Sequence, residues 1–135
     1  MSDVGFTGSR AGMSEEQEAA VRGLLARTFV PGDTFHHGDC VGADAEAAGI
    51  AVNLGYFVVA HPPIDSKLRA YAPGHNTLQP KPYLDRNHDI VDAANWLIAT
   101  PHGAEDKRSG TWATIRYARA HGVSVMLIRS DGTTK

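Results

Sequence analysis

The sequence predicts an α/β protein: a mostly parallel five-stranded sheet with helices on both faces. Three observations predict it. Short apolar runs alternate with segments of helical periodicity along all 135 residues. Glycine-containing turns follow three of those runs, at Thr7-Gly8-Ser9-Arg10, His37-Gly38-Asp39-Cys40-Val41-Gly42-Ala43-Asp44 and Ser109-Gly110-Thr111. Apolar strands joined by helices require a parallel sheet covered on both sides, because each crossover lays a helix on a face.

Each element has a local cause. Val4-Gly5-Phe6 is a short buried strand ending in the first turn. Ser14 reads as an N-cap with Gln17 three residues on, a capping box, and Glu15 and Glu16 suit the positive end of a helix dipole. Ala19, Ala20, Leu24, Leu25 and Phe29 follow at helical spacing, until Pro31-Gly32-Asp33 stops the helix. Thr34–His37 is a second strand. The glycine loop leads into an alanine-rich helix from Asp44 to Leu54, closed by Gly55. Tyr56–His61 is aromatic and β-branched and reads as a strand, and Pro62-Pro63 ends it.

Residues 64–82 are irregular, with Pro73, Gly74, Pro80 and Pro82, and a loop of that length in a compact domain is expected to be functional or mobile. Tyr83–Ala94 reads as a helix, Trp96–Thr100 as a strand, and 101–108 as a polar loop. Ser109 caps a helix over Trp112–His121, Gly122 ends it, and Val123–Ile128 is the last strand. Residues 129–135 read as a flexible tail. The result is a Rossmann-like three-layer sandwich in one domain over 1–135. Its strand order should reverse across the long loop, which sets the first strand beside Trp96–Thr100. In such sheets ligands sit beyond the carboxyl ends of the strands at the reversal.

Composition bounds the function. The formal net charge is −2, which disfavours nucleic acid as a partner and gives no reason to expect an anionic membrane. Cys40 is the single cysteine, so no internal disulfide forms, and no apolar run nears the ~18–20 residues that span a bilayer. The amino terminus carries no signal-peptide pattern. A cytoplasmic protein is the expectation. Trp96, Trp112 and Tyr117 are available to bury a helical face against a second copy in a homo-oligomer.

The candidate site is built from the turns. Backbone N–H groups at a helix start bind anions, and glycine lets the anion approach. Gly110 and Thr111, with Ser109, form one such start; Gly38, Gly42, Ala43 and Asp44 form another; Gly8, Ser9 and Arg10 form the first turn. Arg10 and Arg86 offer planar donor forks to a phosphate. Lys107 and Arg108 read as solvating their loop. His37 is a candidate to face the ligand. Adjacent strand residues point to opposite faces, so His36 and His37 do not share one ion, and no metal site is expected. Cys40 has no clear base partner and is not read as a nucleophile. Asp85, Asp89 and Asp92 lie on one helix face, the solvated side of that helix. Asp89 is its best candidate for acid–base work, and Asp44 the other weak catalytic candidate in the chain.

In this order, Gly8-Ser9-Arg10, His37-Gly38-x-x-x-Gly42-Ala43-Asp44, Arg86-Asn87 and Gly110-Thr111 resemble the SLOG superfamily, and its small YspA-like branch in particular. More distant kin are the Lonely Guy phosphoribohydrolases and the DNA-processing protein DprA. The resemblance spans Val4 to Ile128. It implies a Rossmann-like sheet holding a nucleotide or nucleotide-derived molecule; with the phosphate turns present, the leading reading is a sensor or carrier with no cofactor required. It also implies that Arg86 and Asn87 reach in from the helix after the long loop. The hydrolase branch carries Pro-Gly-Gly-x-Gly-Thr-x-x-Glu, whose glutamate takes part in cleaving the N-glycosidic bond. Here an insertion, Ala104–Arg108, precedes Ser109-Gly110-Thr111, and Thr114 stands at the glutamate position. That departure argues for binding rather than catalysis. The alternative is a phosphoribohydrolase or related N-glycosidic-bond enzyme, in which Asp44, Asp89 or Glu105 replaces the glutamate. A DprA-like single-stranded DNA binder is the third reading, and the net charge weighs against it.

Overall fold

The computed structural model describes residues 1–135. Strands β1 (Asp3–Gly8), β2 (Thr34–His37), β3 (Phe57–Ala60), β4 (Asn76–Thr77), β5 (Trp96–Thr100) and β6 (Ser124–Leu127) form one sheet. Helices α1 (Glu15–Thr28), α2 (Ala43–Leu54), α3 (Tyr83–Ala93) and α4 (Gly110–Ala120) flank it. The order is β4-β3-β2-β1-β5-β6, and every pair is parallel. The sheet therefore has six strands rather than five, and it is wholly parallel. The extra strand is two polar residues between Pro73-Gly74 and Pro80, too short and too hydrophilic to show a strand period.

Side-chain alternation explains the layers. Val4, Phe6, Phe35, Val58 and Ile98 share a core with Leu25, Ala47 and Ile50, which puts α1 and α2 on one face. Leu97 packs with Ile90, Val91 and Ala118, and Ala99 with Trp112, Ile115 and Leu127, which puts α3 and α4 on the other. Successive residues 97, 98 and 99 thus serve opposite faces, the period-two signature of a strand covered on both sides. In α2 the buried residues Ala43, Ala47, Ala48 and Ala51 present only methyl groups to the sheet, so the helix lies close to it.

The capping box at α1 forms as the sequence predicts: Ser14 Oγ accepts from Gln17 N–H and Gln17 Oε1 from Ser14 N–H, both at 3.0 Å. The buried Gln17 amide also donates to the carbonyls of Pro101 (2.9 Å) and Ile128 (3.0 Å). One side chain thereby pins the helix start to the exits of β5 and β6. Residues 129–135 fold back as a turn: Arg129 N–H donates to Thr133 O at 2.9 Å, and Lys135 N–H to Leu127 O at 3.0 Å. No helix is long and apolar enough to cross a membrane.

Candidate anion site at the strand reversal

β1 pairs with β2 on one side and β5 on the other, so crossovers leave it in opposite directions. The loops beyond these strands must part there, and a crevice opens between them. The crevice is a cavity of about 420 Å³ lined by the turn at residues 7–11, the starts of α2, α3 and α4, and parts of two longer loops. Two glycines make the close packing possible. A Cβ on Gly8 would overlap Thr100 Oγ1 and the Ala43 methyl. Gly42 has φ +94°, and a Cβ there would overlap the Arg10 carbonyl. The turn is held against α2 by Ala43 N–H donating to Ser9 O at 3.0 Å.

Donors dominate the lining. Ser109 Oγ accepts from Trp112 N–H at 3.2 Å and so caps α4. The N–H groups of Gly110 and Thr111, the first two of that helix, have no acceptor within the chain. No acidic residue occupies the first turn of α4, so its positive dipole end is uncompensated. Arg10 and Arg108 line the cavity from exposed positions. Neither they nor Arg86 belongs to any of the five ion pairs of the molecule.

Arg86 is buried beneath these groups. Its Nη1 donates to the carbonyls of Gly38 and His61 (3.2 Å for the latter), its Nε to Tyr83 O at 3.4 Å, and its Nη2 lies 3.5 Å from Cys40 Sγ. Its direct hydrogen bonds go to carbonyls rather than to a carboxylate, and Asp44 is the one carboxylate close enough to offset its charge. Asp44 is the one carboxylate of the lining. Its Oδ2 accepts from Cys40 N–H at 3.2 Å, and burial pushes its carboxyl up to about 6 against the pull of Arg86. Burial likewise raises the Cys40 thiol, with Asp44 adding to it.

The cavity brings together Gly8, Ser9, Arg10, Asp44, Arg86, Asn87, Ser109, Gly110 and Thr111. Four other residues singled out from the sequence stand behind its wall. Gly38 supplies a carbonyl to Arg86, and Gly42 and Ala43 support the turn. His37 is fully buried. Its Nδ1 accepts from Asp39 N–H at 3.0 Å, Nε2 has no partner, and burial drives its pKa down to about 4. His36 turns to the opposite face, as strand alternation requires, and bonds Asp3 and His61, both at 2.9 Å.

Asp89 lies outside the cavity, 2.6 Å from Lys81, beside a separate hollow of about 240 Å³. Asp92 accepts from the Tyr117 hydroxyl at 2.9 Å, and Asp85 is exposed. Glu105 pairs with Arg116 at 3.1 Å. Thr114 is buried and its hydroxyl donates to Gly110 O at 2.9 Å, so the position that a glutamate holds in the hydrolase motif is turned onto its own helix. Sequence reasoning missed Leu68, Tyr83 and His102 as lining residues, did not place Cys40 in the wall, and assigned Arg108 to solvent. Only Tyr83 had a local signal, an aromatic residue opening a helix directly after Pro82.

No family model matches the chain, and no curated protein matches it in sequence. Solved structures do share its fold. One is TM1055, a structural genomics target, at TM-score 0.70 and 19 % identity, covering 98 % of this chain and 76 % of that one. Another is DNA processing protein A from Helicobacter pylori, described for its single-stranded DNA binding mode, at TM-score 0.61 and 16 % identity. That match covers 93 % of this chain, which spans 64 % of the Helicobacter protein. Identities this low establish the fold alone.

Proposed function

We propose that the chain is a SLOG-type domain of the YspA-like kind that binds a nucleotide or nucleotide-derived phosphate ester in the cavity beyond β1 and β5. The observation that carries this reading is the convergence of three arginines and two unpartnered helix-start N–H groups on one cavity with a single carboxylate. Its volume, about 420 Å³, falls within the roughly 300–1,000 Å³ usual for small-molecule sites. The phosphate sits on Gly110 and Thr111 N–H, with Arg108 and Arg10 closing over it. Arg86 supplies charge from below.

Calorimetry against AMP, GMP, ADP, ADP-ribose and NAD tests the reading. Binding of at least one is expected, with Arg108→Ala and Arg10→Ala each weakening it about 10- to 100-fold, the value of a charge-assisted hydrogen bond. If no nucleotide at millimolar concentration gives heat or a thermal shift with folded protein, the reading fails. Single-stranded DNA retained at moderate salt, with no nucleotide binding, would favour instead the activity described for the Helicobacter protein.

Asp44 favours one second reading, an N-glycosidic-bond hydrolase. Of the three carboxylates that could replace the missing glutamate, it alone lines the cavity, and its carboxyl titrates near 6. A general acid of that pKa can protonate a departing base at neutral pH. Release of free base from a nucleoside monophosphate, abolished by Asp44→Asn, would establish it.

A further inference from the structure

The cavity has chemically different ends, and the sheet order says where they are. Across it run the exits of β5, β1 and β2, in that spatial order. The start of α4 and Arg108 lie beyond β5, Arg10 beyond β1, and Cys40 and Leu68 beyond β2. Two interstrand steps separate the outer exits, about 10 Å. That is the span from a phosphate to the ring of a nucleoside. Tyr83, the other large apolar liner, lies at the α4 end: one of its ring carbons is 4.0 Å from where a Gly110 Cβ would be. Leu68 is therefore the large apolar side chain of the β2 end.

Leu68 is held there by an unusual anchor. Asp39 is buried and has φ +51°, in the left-handed region that non-glycine residues seldom adopt. Its Oδ1 accepts from Ala72 N–H at 2.9 Å, its Oδ2 from Arg69 Nε at 3.2 Å, and its carbonyl from Ala70 N–H at 2.7 Å. Val41 N–H donates to Leu68 O at 2.9 Å, and Cys40 bridges Arg69. Arg69 in turn stacks on Tyr71, 4.3 Å from the ring centre. One short segment of the long loop is thus fastened to residues 39–41 at both backbone and side-chain level, with Leu68 facing the cavity.

Resting on the nucleotide reading above, we propose that Leu68 is the specificity residue for the ligand's heterocyclic base, and that Asp39 is the positioning residue that holds it over the cavity. A ligand reaching from the α4 start to the β2 exit puts its phosphate on the donors and the flat apolar face of its base against Leu68. A ligand with phosphate and sugar but no base fills only the donor end and does not touch Leu68.

The test compares AMP with ribose 5-phosphate by calorimetry on the full chain. Leu68→Ala is expected to weaken AMP about tenfold, the loss of a side-chain apolar contact, and to leave ribose 5-phosphate within about twofold. Asp39→Asn keeps an acceptor for Ala72 N–H but loses the Arg69 pair, and should shift AMP alone in the same direction by less. Arg69→Gln removes the same pair and replaces Asp39→Asn if that variant does not fold. Equal losses for both ligands, or no change for either, would overturn the proposal. Failure of the wild-type protein to bind AMP, GMP, ADP, ADP-ribose or NAD refutes the nucleotide reading itself, and the proposal with it; where another of these binds in place of AMP, it replaces AMP in the comparison. Binding of ribose 5-phosphate with no gain from the base refutes the Leu68 role alone.

Discussion

Asp44→Asn should stabilise the protein at neutral and alkaline pH and do so progressively less in acid. The carboxyl is buried and titrates near 6 in the folded chain instead of 3.8. The unfolded chain ionises it more readily, so above pH 6 the folded state carries a net cost of about 3 kcal/mol, burial less the pull of Arg86, from the gap between 3.8 and about 6 at 1.36 kcal/mol per pH unit. The sign follows from proton counting. Between pH 3.8 and 6 the folded state keeps a proton the unfolded state has lost, so the cost grows as pH rises and saturates above 6. Asparagine is nearly isosteric, keeps an oxygen for Cys40 N–H, and carries no charge. The variant's advantage should be about 3 kcal/mol at pH 8, about 1.5 at pH 5 and about 0.5 at pH 4. With an m-value of roughly 1.5 kcal/mol/M, the urea midpoint at pH 8 should rise by about 2 M. Equilibrium urea unfolding of both proteins at pH 8, 5 and 4 measures this. A pH-independent difference, or a less stable variant at pH 8, would refute the argument that burial governs this carboxyl.

Three other outcomes follow from the same geometry. Burial lowers His37 and His61 to about 4, so both are neutral in the folded state at pH values where the unfolded chain protonates them below 6.5. Stability should therefore fall as pH drops from 6.5 towards 4, by about 1.4 kcal/mol per pH unit per histidine. Asp44 opposes one of the two between pH 4 and 6, so the wild-type slope there should be about half that of Asp44→Asn, read from urea midpoints across the range. Gly42→Ala should cost about 2–4 kcal/mol, because φ +94° and contact with the Arg10 carbonyl both exclude a Cβ, and thermal melts would show it. Gln17→Ala removes the capping box and leaves the Pro101 and Ile128 carbonyls without their donor; a loss of about 2–4 kcal/mol in denaturant unfolding is expected, and a change below 0.5 would contradict the pinning role.

The order of elements, the capping box and the pairing of β1 with β5 were legible because each reports a local rule. Alternation at residues 97–99 follows from strand geometry, and Ser14 with Gln17 lies within one helical turn. The loop at 64–82 hid β4, since two residues carry no period. Among the candidate residues, Gly8, Arg10, Arg86 and Gly110 reach the cavity. His37 and Asp89 do not, although their local sequences looked equally suited. The difference is packing: a strand residue at a parallel-sheet exit can point into the core or into the crevice, and one helix presents Arg86 inward and Asp89 towards Lys81.

From its residues alone this chain determined its layers, its strand reversal and the presence of donor-rich turns at the reversal, because spacing along a chain is enough to specify periodicity and caps. Tertiary structure alone decided which side chains share the cavity: that Arg86 is buried against carbonyls, that Asp44 is the solitary carboxylate there, and that Asp39 carries Leu68 to the β2 end. Those outcomes depend on contacts between residues 25 to 48 positions apart, whose hydrogen bonds and burial no local pattern encodes.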